Sequence, residues 1–219
     1  MPLPINSTAP DFSALTTDGI IRFHDWLGDS WCVLFSHPKD FTPVCTTELG
    51  AMAGLKAEFE RRSVKIIGLS VDSVDEHKRW SNDIRIATGQ ALNFPLISDD
   101  DLRIAKLYQM LPADIEDVAS HRSALDNATV RTLFVIGPDK KIKLTISYPM
   151  TTGRDFNEVL RVIDSLQMTA RHQLATPANW NFGDDVVIAT SVSDQEAAKR
   201  YPDGWKAPVH YLRLVEMPY

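Results

Sequence analysis

A cysteine at the junction between an apolar segment and an amphipathic one constrains the fold most. Residues 31–35, Trp-Cys-Val-Leu-Phe, form a continuous apolar run of strand length, which is typical of a strand buried on both faces of a sheet. Residues 43–62 repeat apolar side chains at spacings of three and four, and this pattern predicts an amphipathic helix. Pro43 suits the first turn of that helix and Thr42 suits its N-cap. Cys45 is therefore predicted to lie in the first helical turn.

This position has a chemical consequence for the thiol. The first turn of a helix carries N–H groups without helical partners and the positive end of the helix dipole, and both stabilise an anion. A thiol placed there becomes a thiolate, its nucleophilic form, more readily than a free thiol does. A small buried hydrophobe is the alternative interpretation of Cys45 taken alone.

The composition excludes several classes of protein. A chain of 219 residues with 44% hydrophobic content can bury a sizeable core, and its length suits one domain with a small addition. The net charge of −6 disfavours a nucleic-acid or anionic membrane partner. We expect no secretory signal at the first residues and no membrane span, and therefore a cytoplasmic protein. Two cysteines without a Cys-x-x-Cys pair fit a reducing compartment.

Strands and helices are predicted to alternate, which indicates a sheet with parallel strands and right-handed crossovers. The predicted elements are a hairpin over residues 11–24, a turn at 24–28, strands at 31–36, 64–71 and 94–97, helices at 43–62, 75–87, 101–109 and 154–169, a loop or short helix at 112–128, and an antiparallel hairpin formed by 129–136 and 141–147. After residue 170, proline and glycine divide the chain into short pieces. This tail is expected to be too small to hold a core of its own.

The signature Pro-x-x-x-Thr-x-x-Cys falls on Pro38, Thr42 and Cys45. With His37 before it and Glu48 after it, this segment resembles the peroxiredoxins, in particular the one-cysteine branch of the AhpC/TSA family. The resemblance extends over further segments of the chain: 23–28, 72–74, 137–141, 148–149, 152–154, 160–167 and 175–177.

The resemblance implies an α/β fold, a thioredoxin-like mixed sheet flanked by helices, with a small C-terminal domain. Residues 1–168 would form the peroxidase domain. Residues 169–219 would form a dimerisation domain exchanged with the partner subunit, so a homodimer or a higher oligomer is expected. No cofactor is expected. A metal is not expected either, because His24, His37 and Cys45 show no ligand-pair spacing.

The activity implied is that of a thiol-dependent peroxidase acting on hydrogen peroxide and organic hydroperoxides. Cys45 would attack the peroxide and become a sulfenic acid. The resemblance assigns the stabilisation of the reacting oxygens to Thr42 and Arg131, and the orientation of the guanidinium to Glu48. The alternatives are an N-cap for Thr42, an exposed strand charge for Arg131 and a solvated dipole partner for Glu48.

Three further residues complete the predicted site. Pro38 would keep water away from the thiolate, and His37 would border the pocket in either a packing or a catalytic role. Cys32 lies inside an apolar strand and is interpreted as inert core. With no internal thiol in reach, an external thiol would reduce the enzyme, and ready over-oxidation to the sulfinic acid is expected.

Two other functions remain open at this point. Some animal members of the branch have phospholipase activity on a Gly-Asp-Ser-Trp-Gly segment, and the matching residues are Ser30, His24 and Asp139. The second glycine of that segment is Cys32 here, which weakens the interpretation because a nucleophilic serine needs small neighbours. A peroxide sensor that uses oxidation of Cys45 as a switch would have the same sequence.

Overall fold

The structure of the protein is a computed structural model that describes residues 3–113 and 128–218. Within these ranges the strands are β1 (Ser13–Thr16), β2 (Gly19–Arg22), β3 (Trp31–Ser36), β4 (Val64–Ser70), β5 (Leu96–Ser98), β6 (Arg131–Ile136), β7 (Ile142–Tyr148), β8 (Leu174–Ala175), β9 (Val186–Ile188), β10 (Lys206–Val209) and β11 (Leu212–Val215). The helices are α1 (Phe23–Leu27), α2 (Pro43–Gly54), α3 (Lys56–Arg61), α4 (Val74–Thr88), α5 (Arg103–Leu107), α6 (Phe156–Arg171) and α7 (Asp194–Arg200).

The first seven strands form one mixed sheet in the order β2-β1-β5-β4-β3-β6-β7. The strands β3, β4 and β5 run parallel, while β6 pairs antiparallel with both β3 and β7. The central strands β3, β4 and β6 are almost entirely buried, as their apolar runs predict. The predicted mixed sheet flanked by helices is therefore confirmed.

One hydrophobic cluster contains Cys32 together with aromatic residues from several elements, including Phe12, Phe23, Tyr108 and Phe134. The Phe12 and Phe23 rings stack at 4.7 Å. Cys32 is fully buried in this cluster. Its predicted place in the core is confirmed.

Two local predictions were wrong. The single helix predicted over 43–62 divides at Leu55, which ends α2 and precedes α3, because Gly54 has low helix propensity and Leu55 adopts a non-helical conformation (φ −92°, ψ 3°). The turn predicted at 24–28 is part of the short helix α1, which ends at Gly28 with a positive φ of 56°. The segment predicted as a loop or short helix at 112–128 lies mostly outside the described residues.

The start of α4 is set by a capping box, in which the Ser73 hydroxyl oxygen accepts from the backbone N–H of Glu76 and the Glu76 carboxylate accepts from the backbone N–H of Ser73. Three residues of this helix, His77, Trp80 and Ile84, are completely buried. The cap therefore fixes the register in which these side chains enter the protein.

The chain divides into two compact units, Met1–Phe156 and Asn157–Tyr219. In the second unit β8, β9, β10 and β11 form an antiparallel sheet in the order β10-β11-β9-β8. Contrary to expectation, this unit has a small hydrophobic cluster of its own, which includes Trp180, Val186 and Ile188. The large side chain of Trp180 and its bond from Nε1 to the carbonyl of Asp184 make this possible in a short segment.

Two glycines of α2 are predicted to respond in opposite ways to alanine. A β-carbon at Gly50 would lie 2.5 Å from Cγ2 of Thr88, whereas one at Gly54 would lie 3.6 Å from Cγ of Gln90, an ordinary contact. Gly50→Ala should therefore destabilise the protein by about 1–3 kcal/mol through overpacking. Gly54→Ala should stabilise it by up to about 1 kcal/mol through helix propensity. Urea unfolding measures both, and equal effects in the two variants would contradict the packing of α2 on α4.

Candidate active site

The cysteine lies where the sequence predicts it, in the first turn of α2. The helix begins at Pro43 after an extended Thr42 (φ −112°, ψ 147°), and Cys45 is its third residue. Cys45 is completely buried. The backbone N–H of Thr46 donates to the carbonyl of Thr42 at 3.0 Å, so the turn that carries the sulfur is closed.

Arg131, the first residue of β6, contacts the sulfur directly. Its Nη1 donates to Sγ of Cys45 at 3.3 Å. Its Nε and Nη2 both donate to the carbonyl oxygen of Met150, at 2.8 and 2.6 Å. Arg131 is buried, with 2% of the residue exposed, so it is not the exposed strand charge considered as an alternative. This fixed guanidinium places a positive charge directly beside the sulfur.

Glu48, one turn after the cysteine, connects two arginines. Its Oε2 accepts from Nη1 of Arg131 at 2.6 Å and from Nη2 of Arg154 at 2.8 Å, and its Oε1 accepts from the backbone N–H and Nε of Arg154. Burial raises the pKa of Glu48, but the bonds and charge of Arg154 and the charge of Arg131 outweigh burial and hold the pKa below its usual value. Glu48 is therefore an ionised, buried carboxylate and not a solvated dipole partner.

Sequence reasoning missed Arg154. Its Nη1 donates to the carbonyl of Thr132 at 3.2 Å, and its guanidinium lies over the rings of Phe35 and Phe156, at 5.1 and 5.7 Å. Arg154 lies in one of the segments that resemble the peroxiredoxins, but no local sequence pattern indicates that its side chain reaches Glu48. The only sequence feature that could have indicated a role for Arg154 is its position just before a helix, within a segment similar to the family.

The remaining predicted residues surround this centre. Thr42 occupies the N-cap position, but its hydroxyl donates to the carbonyl of Lys39 at 2.8 Å instead of accepting from the helix. Pro38 is buried. His37 is completely buried as well, and its carbonyl accepts from the Thr129 hydroxyl at 2.8 Å. The Thr129 bond ties the 37–42 loop to the chain just before β6.

The two cysteines have different surroundings. Both are reduced and buried. Burial raises the pKa of Cys32, an effect that the charge of Lys65 only partly offsets, so this thiol stays protonated and unreactive. Cys45, in contrast, has a guanidinium bonded to its sulfur. The structure therefore separates one reactive thiol from one inert thiol.

The three residues of the lipid hydrolase alternative make separate contacts. Nε2 of His24 donates to the carbonyl of Ala9 at 2.9 Å, and the carboxylate of Asp139 accepts from Nζ of Lys143 at 2.7 Å. In the described part of the chain, no hydrogen bond links Ser30 to either residue. A serine hydrolase needs its base bonded to its nucleophile, so this alternative is not favoured.

Comparison with protein families decides the identity. Residues 5–145 match the AhpC/TSA family, and residues 165–204 match the C-terminal domain of 1-Cys peroxiredoxin. The chain belongs to the one-cysteine peroxiredoxins. This peroxiredoxin is 51% identical to peroxiredoxin-6 of Gallus gallus over 206 residues, covering 92% of this chain and 90% of that one. It is 45% identical to the 1-Cys peroxiredoxin of Dictyostelium discoideum, covering 99% and 86% of the two chains.

Superposition on solved structures supports the same family assignment. Peroxiredoxin 6 of Arenicola marina, in a form with one cysteine replaced by serine, superposes with a TM-score of 0.89 at 44% identity and covers 99% of both chains. A yeast mitochondrial 1-Cys peroxiredoxin superposes with a TM-score of 0.87 at 48% identity, covering 98% of this chain and 99% of its own. This peroxiredoxin therefore has the thioredoxin-like fold that the sequence predicts, and it is a thiol-dependent peroxidase with a single reactive cysteine. In the described residues, no helix is both long and apolar enough to cross a bilayer.

Proposed function

We propose that this peroxiredoxin reduces hydrogen peroxide and organic hydroperoxides at Cys45 and that an external thiol regenerates the cysteine. The observation that carries the proposal is the 3.3 Å contact between Nη1 of Arg131 and Sγ, in a site that buries both residues. Phe41, which precedes Thr42, and Met150, whose carbonyl accepts from Arg131, are 50% and 37% exposed. Exposed apolar residues at these positions support access for an organic group.

The oxidation step begins at the sulfur of Cys45. The Cys45 thiolate attacks the terminal oxygen of the peroxide, an S–O bond forms as the O–O bond breaks, and the other oxygen leaves as hydroxide or alkoxide and takes a proton from solvent. Cys45 becomes a sulfenic acid. Negative charge moves from sulfur to the leaving oxygen during this step. A cation fixed beside both atoms before reaction stabilises the transition state, and Arg131 supplies it.

The neighbouring residues hold this cation in place. Glu48 and the carbonyl of Met150 occupy donors of the Arg131 guanidinium, and Arg154 acts through Glu48. We assign Thr42 to the peroxide, whose oxygen would replace the Lys39 carbonyl as the acceptor of its hydroxyl hydrogen. Pro38, which is buried, excludes water from the sulfur.

The burial of Cys32, the second cysteine of the chain, supports regeneration by an external thiol. Its thiol is buried in the hydrophobic cluster and its pKa is raised, so it is a poor partner for the sulfenic acid. In the yeast mitochondrial relative, the thiol resolving mechanism operates via glutathione/thioredoxin systems. We propose the same class of reductant here, a small thiol or a dithiol protein.

Steady-state consumption of hydrogen peroxide with glutathione, dithiothreitol or a thioredoxin system tests this function. We expect many turnovers with at least one of the three. Without any thiol, about one equivalent of peroxide should be consumed in forming the sulfenic acid and about one more in over-oxidation to the sulfinic acid. Mass spectrometry of the oxidised protein should show a mixed disulfide at Cys45 with the added thiol. A single oxidation in the presence of every thiol would favour a sensor, and a bond between Cys32 and Cys45 would contradict the one-cysteine cycle.

We also propose that the protein forms a homodimer through a C-terminal domain of residues 169–219. The family match to a 1-Cys peroxiredoxin C-terminal domain over residues 165–204 supports this assignment. Exposed apolar side chains in the same segment, Phe182 and Tyr211 with 67% and 66% exposed, are consistent with a surface that a second copy covers. Sedimentation at the mass of one chain, 24.6 kDa, would contradict it.

A cytoplasmic location is proposed from cysteine chemistry. Two cysteines, one of them the reactive residue, suit a compartment that keeps thiols reduced and supplies the regenerating thiol. The cytoplasm meets both requirements.

A further inference from the structure

Next to the peroxidase site lies a buried polar cluster, which we define as His37, Asp40, Ser70, Asp72 and His77. At most 6% of any of these residues is exposed. They come from the loop after β3, the end of β4 with the loop that follows it, and α4. Buried polar groups are retained when hydrogen bonds replace the lost water, so these bonds show where each proton resides.

Asp40 is the centre of the cluster. Its Oδ1 accepts from Nε2 of His37 at 2.8 Å, and its Oδ2 accepts from Nδ1 of His77 at 2.6 Å. Its backbone N–H donates to Oδ2 of Asp72 at 2.8 Å. Burial raises the pKa of Asp40, but the bonds and charges of the two histidines outweigh it and lower the pKa to about 2. Asp40 is therefore ionised at neutral pH and can only accept hydrogen bonds.

The acceptors determine the protons on both histidines. His77 faces the Asp40 carboxylate with Nδ1, at 2.6 Å, and the carbonyl of Ile97 with Nε2, at 3.2 Å. Its Nδ1 donates to the carboxylate, which can only accept. His37 donates from Nε2 to Asp40, which leaves Nδ1 as a lone pair. Among the described residues, this buried Nδ1 has no hydrogen-bond partner.

The ring of His37 is held beside the catalytic turn. It packs against the ring of Trp80 with centroids 5.3 Å apart, and Nε1 of Trp80 donates to the hydroxyl of Thr46, the residue after Cys45. A buried polar atom without a partner costs about 1–3 kcal/mol. An acceptor kept in this state next to a reactive residue indicates that its donor arrives with a substrate.

Only one half of the catalytic cycle needs such an acceptor. In the oxidation step the sulfur attacks as a thiolate, and the leaving oxygen needs a proton that the lone pair on Nδ1 of His37 does not supply. In the regeneration step a small aliphatic thiol arrives mostly as S–H at neutral pH and must lose its proton. The hydroxide leaving the sulfenic acid must gain one. A base that takes the first proton and returns it to the hydroxide serves both needs.

We propose that Asp40 is a positioning residue for regeneration by thiol, an inference that depends on the proposed function. Asp40 holds His37 with its proton on Nε2, and the lone pair on Nδ1 takes the proton of the incoming thiol. The thiolate then attacks Sγ of the Cys45 sulfenic acid, the S–S bond forms as the S–O bond breaks, and the leaving hydroxide takes the proton from Nδ1. The products are a mixed disulfide and water, and the Asp40 carboxylate stabilises the transient imidazolium.

The first test needs no variant. Long-range ¹⁵N–¹H correlation spectra of the reduced wild-type protein should show His37 protonated on Nε2 alone and His77 protonated on Nδ1. A proton on Nδ1 of His37 would overturn the proposal. So would one zinc ion per purified chain, because the ligand-type atoms of His37, Asp40 and His77 lie within 4.8 Å of one another and a metal would replace both protons.

The second test separates the two half-reactions by stopped flow in Asp40→Asn. Oxidation by hydrogen peroxide should stay within about threefold of wild type, whereas reduction of the sulfenic acid by dithiothreitol should slow by about 10- to 100-fold. With 5-thio-2-nitrobenzoate, which is already ionised at neutral pH, the defect should largely disappear. An equal loss in all three reactions, or a loss confined to oxidation, would overturn the assignment.

Asp99→Asn is the matched control. Asp99 is buried to the same extent, with 1% exposed, and accepts bonds from the backbone N–H groups of Ile104 and Ala105, outside the cluster. This variant should lose stability without changing the ratio of the thiol rates. Failure of the proposed function would appear in the wild type, as absence of turnover, whereas failure of this inference would appear only in the comparison of variants.

Discussion

Serine in place of Cys45 is expected to abolish peroxide reduction, with a loss of at least about 10³-fold with every thiol donor. The electron pair that breaks the O–O bond comes from the sulfur, and a hydroxyl bonded to Arg131 remains protonated and weakly nucleophilic at neutral pH. The fold should persist, because sulfur and oxygen differ little in size at this position. Stopped-flow consumption of hydrogen peroxide measures the loss, and circular dichroism verifies the fold.

Cys32→Ala is the matched control for that experiment. Cys32 is equally buried, but it lies in the hydrophobic cluster with a raised pKa. Its removal should leave the peroxide rate unchanged and cost about 1 kcal/mol of stability. Substantial activity in Cys45→Ser that disappears when Cys32 is also removed would show that the wrong thiol has been assigned.

Glu48→Gln is expected to have the second-largest effect, on both stability and rate. The substitution keeps the shape of the side chain but leaves two buried guanidinium groups, those of Arg131 and Arg154, without their shared counter-charge. Breaking a buried ion pair from one side costs about 3–5 kcal/mol. Arg131 would also lose a bond that aims it at the sulfur, and the oxidation rate should fall by about 10²-fold.

The pH dependence of this stability loss has a definite sign. The pKa of Glu48 is lowered in the folded protein, so its stabilising contribution is complete above its unfolded pKa and is lost as the pH falls through the folded value. The difference in unfolding free energy between wild type and Glu48→Gln should therefore be full at neutral pH and shrink in acid. Denaturant unfolding at several pH values measures it, and a difference that grows in acid would contradict the ion-pair assignment.

Glu58→Gln provides the control for charge alone. Glu58 also pairs with two arginines, Arg61 and Arg62, but on the surface of α3. Water and salt screen such pairs, so little change in stability and none in rate are expected. A large effect at Glu58 would mean that burial is not what makes Glu48 important.

The local sequence pattern was sufficient to predict the secondary structure around the catalytic cysteine. The apolar run of β3, the periodicity of α2 and the proline at its first position placed Cys45 in the first turn without any knowledge of the rest of the chain. Residues close in sequence determine such features, because strand and helix periodicity are properties of short segments. The family resemblance then added Arg131 and Glu48, which no local pattern connects.

Three other features of the structure could not be predicted from local sequence patterns. Periodicity continues through residue 62, so the break at Leu55 was missed. Threonine is a residue type that caps helices with its side chain. The Thr42 hydroxyl instead donates to the carbonyl of Lys39, in the loop before α2. The acidic and histidine residues of the buried polar cluster are spread over three segments with no ligand-like spacing.

The sequence by itself determined the apolar strand before the site, the start of α2 and where the reactive thiol lies along that helix. Only the tertiary structure decided which charges meet around that thiol. Arg131 and Arg154 reach Glu48 across 83 and 106 residues of chain. The physical reason is that an ion pair depends on distance in space, and the pairing of β6 with β3 brings these groups together while leaving no trace in the spacing of residues.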